Sequence, residues 1–508
     1  MAPSYILAID QGTTSTRAAI YDAAGRSLGS ASRELTQYYP RPGWVEHDAE
    51  EIWASVADVV PRALAAARIE ARQLTAIGLT NQRETVVLWE RDSGRPVTRA
   101  IVWQDRRTSD FCQSLQTEAV WLHERTGLLL DPYFSAPKFR WLLKEDASLR
   151  RRAEAGQLAG GTIDSFLLWR LTGGRVHATD RTNASRTLLF HLHKAAWDEE
   201  LCRFFEVPSC LLPQVRASRD DFGQTGELTF LPAGLPITGV AGDQQAALFG
   251  QCAFQPGEAK CTYGTGAFFL QHLGTQPILS RHRLLTTVAA SGPDTLQYAL
   301  EGSVFIAGAA VQWLRDGLRL FQEASEVEAL AARSDAGQSV LFVPGLAGLG
   351  APYWAPKARG VLLGLTRGTT AAELGRAALE GVAYQVADLI DAAARDAGQR
   401  LHSLRVDGGM ARNAWFLQCQ ADILGLPVLQ APLSEATALG AAYLAGLHVG
   451  TWTSEQQLRS LGGEARRFEP HLPAAERQRR LRLWHRAVQT VIAFYSDDAN
   501  HEPRPSPE

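Results

Sequence analysis

The fold turns on the stretch Ile9-Asp10-Gln11-Gly12-Thr13-Thr14-Ser15-Thr16-Arg17, which follows the apolar run Ile6-Leu7-Ala8. It reads as a buried strand that delivers a carboxylate at its end, then a glycine turn, then hydroxyl side chains and an arginine. Backbone N–H groups in such a turn, with hydroxyls beside them, form a nest for phosphate oxygens. Asp10 at the strand end would hold Mg²⁺ through water, because Mg²⁺ gives up its waters reluctantly. Taken alone, the segment fits an ordinary hairpin with a polar turn equally well.

Two further segments shift that balance. Cys261-Thr262-Tyr263-Gly264-Thr265-Gly266 repeats the Gly/Thr turn at the head of the second half, and Val406-Asp407-Gly408-Gly409 ends a strand with two glycines that allow close approach to the backbone. One such turn per half predicts a nucleotide clamped between two related domains. No Gly-x-x-x-x-Gly-Lys-Ser/Thr occurs, and none of Lys138, Lys144, Lys194, Lys260 and Lys357 follows such a loop, which excludes a P-loop fold. Gly345-Leu-Ala-Gly348-Leu-Gly350 has the wrong order for a dinucleotide fingerprint and reads as a flexible loop.

At 508 residues the chain is long enough for two large domains or three smaller ones. A composition 45% hydrophobic and 21% charged excludes a mainly disordered or fibrous protein. The net charge of −3 gives no reason to expect nucleic acid or an anionic membrane as partner. The N-terminus lacks a positive region and meets Asp10 after a short apolar run, unlike a signal peptide. No apolar run reaches the roughly 18 residues of a membrane span. The six cysteines are scattered without zinc spacing, which predicts buried reduced thiols in a cytoplasmic protein.

Strands and helices alternate throughout, the pattern of an α/β protein. Asp48 with Glu51, and Thr370 with Glu373, read as capping boxes. A helix is expected over Val304 to Leu318, and Asn413 is placed to start another. The turn Gln255-Pro256-Gly257 suggests domains over 1–252 and 257–495, with 496–508 a disordered, Pro-rich tail.

Candidates for an acceptor site follow. Asn81-Gln82-Arg83-Glu84 reads by default as a surface ion pair; the alternative is a donor and an acceptor facing a polyol's hydroxyls. Trp103 ends another strand and serves a core equally well. Asp243, between an apolar strand and an apolar helix, is either an N-cap or a carboxylate able to take a proton from a hydroxyl nucleophile.

These residues together resemble the FGGY carbohydrate kinases. The resemblance rests on Asp10-Gln-Gly-Thr-Thr-Ser15, Pro42-Gly-Trp-Val-Glu-His-Asp48, Thr80-Asn-Gln-Arg-Glu-Thr85, Asp131-Pro-Tyr-Phe134 and Asp180-Arg-Thr-Asn-Ala-Ser-Arg186. Ala241-Gly-Asp-Gln-Gln-Ala-Ala-Leu-Phe-Gly250, Gly348-Leu-Gly-Ala-Pro-Tyr-Trp354 and Thr437-Ala-Leu-Gly-Ala-Ala-Tyr443 extend it in order to about Gly450. The Asn-Gln-Arg-Glu-Thr and Gly-Asp-Gln-Gln runs point to the glycerol-phosphorylating branch.

The resemblance implies two actin-like ATPase (ribonuclease-H-like) α/β domains flanking a cleft for ATP, Mg²⁺ and glycerol. By similarity, Arg83, Glu84, Tyr133, Asp243 and Gln244 meet glycerol, with Trp103 and Phe268 against its carbons. Thr13, Thr14, Ser15 and Arg17 match phosphate contacts, and Thr265, Gly308, Gln312, Gly409 and Asn413 match nucleotide contacts. Asp10 and Arg17 would assist catalysis with Asp243 as the base. Assembly as a homodimer or homotetramer is implied too. Relatives inhibited by fructose 1,6-bisphosphate carry a basic Gly-rich loop where this chain has Thr225-Gly-Glu-Leu-Thr-Phe-Leu-Pro232, so that inhibition is not expected here.

Overall fold

A computed structural model describes residues 4–334, 340–431 and 435–496. Two sheets organise it. The first contains β1 (Tyr5–Gln11), β2 (Ser15–Tyr21), β3 (Ser27–Glu34), β4 (Leu74–Asn81) and β5 (Ile237–Gly242), in the order β5-β4-β1-β2-β3. β1 runs antiparallel to β2 and parallel to β4. Ile6 to Ile9 are therefore covered on both faces, which is why the run shows no polar alternation.

The second sheet repeats this plan. β6 (Ala259–Tyr263) pairs antiparallel with β7 (Ala267–Gly274) and parallel with β9 (Leu404–Asp407). β8 (Gln297–Val304) lies outside β7, and β10 (Val428–Gln430) lies outside β9. In both sheets the Gly/Thr turn joins the first strand to the second, so the two turns occupy equivalent places. A segment inserted between β4 and β5 has a core of its own around Leu88, Phe134, Phe139 and Leu142. It carries Trp103 and Tyr133.

Helix α1 (Ala49–Ala67) covers the first sheet with Ile52, Val56, Val59 and Ala63. Two others meet between the lobes: α2 (Asp243–Gly250) and α6 (Ala436–His448). A Cβ on Gly440 would fall 1.8 Å from the carbonyl oxygen of Ala246, and one on Gly250 would fall 2.0 Å from that of Ala436. Only glycines allow this backbone contact. Although α6 belongs to the second half of the chain, it packs with Ile6, Ala8, Ala76 and Ala241 of the first sheet.

Several local expectations change. Asp48 caps α1 through the Glu50 N–H, but Glu51 turns away to accept from Thr36 N–H and Oγ1, both at 3.0 Å, so no capping box closes there. The second box does form: Thr370 and Glu373 open the helix Ala371–Ala397. Val304 still pairs with Ala267 in the sheet, which delays the next helix, α3, to Gly308–Asp316. The strand before Trp103 ends at Ile101. Five cysteines are buried as expected, but Cys210 is exposed. Ser496 closes the last described helix, and the remainder of the expected tail lies outside the described residues. Among the described residues, no helix is long and apolar enough to cross a membrane.

Candidate active site

The ends of β1, β4 and β5 converge on the cleft between the sheets. At the end of β4 the default of a surface ion pair fails, because Asn81, Gln82, Arg83 and Glu84 are all at most 2% exposed. Asn81 exchanges reciprocal side-chain hydrogen bonds of 3.0 Å with Asn183. Gln82 Nε2 donates to Gln11 Oε1 at 3.1 Å and ties this strand end to the phosphate turn. Glu84 sits at φ 60°, a left-handed conformation that costs a bulky residue energy. Such strain persists only where the surroundings over-determine it.

What determines it is a chain of buried charges. Arg83 Nη1 and Nη2 donate to the two oxygens of Glu301, each at 2.7 Å, and Arg83 Nε lies 3.1 Å from Asp243 Oδ1. Arg186 Nε donates to Glu84 Oε1 at 2.7 Å. Burial pushes the Glu84 carboxyl upward against the pull of both arginines. Burial opposes ionisation of Glu301 as well, but the guanidinium groups of Arg186 and Arg83 win and hold it down at about 2. Asp243 is the member of this group open to the cleft, its side chain 29% exposed. It is not the N-cap of α2; Gly242 is, and Asp243 occupies the first helical turn.

Three aromatic rings close the other side. Trp103 stands edge-on to Tyr133, with ring centroids 5.5 Å apart, and to Phe268, at 6.3 Å. Its Nε1 donates to Thr13 Oγ1 at 2.8 Å, so the aromatic wall abuts the phosphate turn. Tyr133 is presented by a turn whose carbonyls, Pro132, Tyr133 and Phe134, all accept from the buried Lys138 Nζ at 2.6–3.0 Å. Burial pulls the Lys138 amine down to about 7, so Lys138→Met should remove three bonds whose charge is only partly present at neutral pH, each worth about 1 kcal/mol. The expected outcome is a raised acceptor KM and a lowered Tm, read by steady-state kinetics and thermal melting.

On the first turn, Gly12 N–H closes on the Ser15 carbonyl at 2.9 Å, leaving Thr14 exposed and Thr13 and Ser15 half-buried. Arg17 pairs with Glu435 at the start of α6, so a phosphate there would compete with a carboxylate. Burial, reinforced by Asp243 and Glu435 and offset by Arg17, lifts the Asp10 carboxyl to about 7. Across the cleft, Thr265, Gly308, Gln312, Gly409 and Asn413 all line one cavity of about 410 Å³. Asn413 Oδ1 caps the following helix through Phe416 N–H, which leaves its amide nitrogen for a ligand. Gly409 has φ −62°, and a Cβ there would meet nothing within 4 Å. Gly409→Ala should therefore keep Tm while its methyl intrudes on the cavity and raises the ATP KM several-fold; an unchanged KM would remove Gly409 from the cavity wall.

Sequence reasoning missed Glu301, Arg186, Gln245, Lys260 and Glu435. Lys260 Nζ donates to Gln244 Oε1 at 2.5 Å and leaves the amide nitrogen of Gln244 for an acceptor. A signal existed for two of them: Glu301 and Lys260 are lone charges inside otherwise uncharged strands, which burial tolerates only with partners.

Two sheets of one strand order, each presenting a Gly/Thr turn to a shared cleft, define the actin-like class of two-lobed phosphotransferases. Within it, the chain belongs to the FGGY family of carbohydrate kinases: residues 5–250 match that family's N-terminal domain and residues 259–449 its C-terminal domain. The chain is 55% identical to a glycerol kinase of Alcanivorax borkumensis over 96% of this chain and 98% of that one. It is 54% identical to a glycerol kinase of Dechloromonas aromatica, over 96% and 97%. The crystal structure of Plasmodium falciparum glycerol kinase with ADP superposes with a TM-score of 0.89 at 35% identity, covering 96% of this chain and 98% of that one.

Proposed function

We propose that the protein transfers the γ-phosphoryl group of ATP to a terminal hydroxyl of glycerol, giving sn-glycerol 3-phosphate and ADP. The observation that carries this reading is the meeting of Arg83, Glu84 and Asp243 with the Trp103–Tyr133–Phe268 wall, joined to the phosphate turn through Trp103 and Thr13. Glycerol is polar at its edges and apolar along its carbons, and the site has the same division. A site that pairs each hydroxyl rejects analogues lacking one. Identity of 50–55% to glycerol kinases over nearly the whole chain supports the same acceptor.

Phosphoryl transfer needs alignment and neutralisation of charge more than covalent assistance. Arg83 and Glu84 fix the hydroxyls, and Asp243 accepts the proton from the attacking one as the O–P bond forms. The hydroxyls and N–H groups of Thr13, Thr14 and Ser15 receive the phosphate oxygens, with Arg17 released from Glu435 to join them. Thr265, Gly308, Gln312, Gly409 and Asn413 hold the nucleotide.

Mg²⁺ bound beside Asp10 would neutralise the phosphates. The donor set fits it: a carboxylate kept high by burial, with Asp243 and Glu435 beside it, gains from a cation, and Mg²⁺ held through a single carboxylate keeps most of its waters. Because Asp10 takes up a proton below about pH 7, apparent Mg²⁺ affinity should fall roughly tenfold per pH unit below that value. Titrating activity with Mg²⁺ at pH 5.5 to 8 checks this; Asp10→Asn should flatten the profile.

Fructose 1,6-bisphosphate should leave the activity unchanged. Thr225 folds its loop by donating to the Pro232 carbonyl at 2.6 Å, and the nearby Arg175 spends Nη2 on the carbonyls of Gln224 and Thr225. The resemblance to the family implies a homodimer or homotetramer, which mass photometry would distinguish.

The test of the main reading is ADP release with ATP-Mg²⁺ and glycerol, xylulose, ribulose or no acceptor. Release selective for glycerol, with glycerol 3-phosphate as product, supports it. Preference for a ketose would move the protein to another branch of the family, and equal release without acceptor would make it an ATPase.

A further inference from the structure

Glu84, Arg186, Glu301, Arg83 and Asp243 form a continuous row of alternating charge. Arg186 links Glu84, at 2.7 Å, to Glu301 Oε1, at 3.2 Å; Arg83 links Glu301, at 2.7 Å, to Asp243, at 3.1 Å. The two ends of the row are the carboxylates that border the acceptor site. Its centre, Glu301, comes from β8 of the second lobe, whereas both arginines come from the first half of the chain. Glu301 and Arg186 have 0% exposure, against 2% for Arg83 and 1% for Glu84.

Stability alone does not explain the row. Buried ion pairs barely repay desolvation, and apolar replacements of similar volume are often more stable. Geometry does explain it. Glu301 takes the end of the Arg83 guanidinium formed by Nη1 and Nη2, and Gln245 Oε1 takes a further Nη1 donor at 3.2 Å. The Nε edge is thereby turned to the cleft, 3.1 Å from Asp243 and 3.9 Å from Glu84. Arg186 is held by its Nε bond to Glu84, by the charge of Glu301 beside Nη2, and by ring centres of Tyr133 at 5.6 Å and Phe134 at 5.2 Å, while its two Nη atoms make no hydrogen bond. A shift of Glu301 would rotate both arginines and change the separation of the two terminal carboxylates.

We propose that Glu301 is the positioning residue of the acceptor site: acting through Arg83 and Arg186, it sets the spacing of Glu84 and Asp243 and thereby the enzyme's discrimination among polyols. The proposal deepens the glycerol reading and rests on it for the identity of the acceptor. It also makes acceptor recognition depend on the second lobe, since the carboxylate that aims Arg83 arrives on the sheet that forms the opposite wall of the cleft.

The test compares Glu301→Gln and Glu301→Asp with the unmodified enzyme, using glycerol and 1,2-propanediol, which lacks one terminal hydroxyl. Glu301→Gln should lower kcat/KM for glycerol about 100-fold, the scale of a misplacement near 1 Å. The ATP KM should move less than about threefold, since the nucleotide cavity is untouched. The preference for glycerol over 1,2-propanediol should fall about tenfold, because loosened partners no longer penalise a missing hydroxyl. Glu301→Asp keeps the charge but shortens the reach; it should lose the preference while still melting cooperatively, and it decides the matter if the Gln variant fails to fold. A preference equal to the parent's in a folded variant, with all activities scaled down together, overturns the proposal in favour of a purely structural role. If the unmodified enzyme prefers another acceptor, the glycerol reading fails by itself, and the comparison is made with that acceptor and its deoxy analogue.

Discussion

Asp243→Asn is expected to lower kcat by a factor of about 10²–10⁴, the range contributed by a general base, while glycerol still binds. The substitution preserves shape and keeps an oxygen for Arg83 Nε, which now lies 3.1 Å from Oδ1. What it removes is the ability to take a proton, a function exercised only as the new O–P bond forms. Interactions confined to the transition state show in kcat rather than in KM. Calorimetric titration with glycerol, beside the turnover assay, separates the two quantities. Turnover within about threefold of the parent would remove Asp243 from the role of base.

Arg83→Ala carries the second large effect, in stability as well as activity. It strips Glu301 of its bidentate partner at 0% exposure and leaves it Arg186 Nη2, 3.2 Å away, and the charge of Lys260. Breaking a buried pair from one side costs about 3–5 kcal/mol. The pH dependence follows from the same carboxylate. In the parent, Glu301 is held at about 2, below its unfolded value of roughly 4.3. It therefore contributes stability that is fully present above about pH 4.3 and is lost as the pH falls through about 2. Without Arg83 the folded-state value rises, so the acid-unfolding midpoint should move to higher pH. Melting curves from pH 2 to 7 would reveal this; coincident profiles for parent and variant would mean that Glu301 draws its charge stabilisation from elsewhere. Glycerol phosphorylation should be lost at every pH.

Much of the fold is legible in the sequence because local rules govern it. The run Ile6 to Ile9 is apolar without alternation because this central strand is buried on both faces, and Thr370 with Glu373 announces a long helix through its own backbone. Asn413 is legible for a related reason: as the cap of the following helix through Phe416 N–H, it is announced by its own sequence neighbours. The acceptor site is legible only in part. Arg83 and Glu84 stand out as charges at a strand end, but their burial depends on Arg186 and Glu301, which lie 102 and 218 residues from their partners. Sequence neighbours carry no trace of such pairings. Glu51 illustrates the converse error, since its spacing from Asp48 is right for a capping box while Thr36, across the fold, offers two donors.

The crossing of α2 and α6 through Gly250 and Gly440 bears on how the polypeptide can be divided. A cut near residue 252 looks natural on the linear map, yet the piece before it would lack α6 and leave Ile6, Ala8, Ala76 and Ala241 uncovered. Expressed separately, that piece should aggregate. Supplied in trans with residues 253–508, it should regain solubility, because the missing cover arrives on the other polypeptide. A helix made late in synthesis thus completes the lobe that was made first, and that lobe is finished only when α6 has reached it.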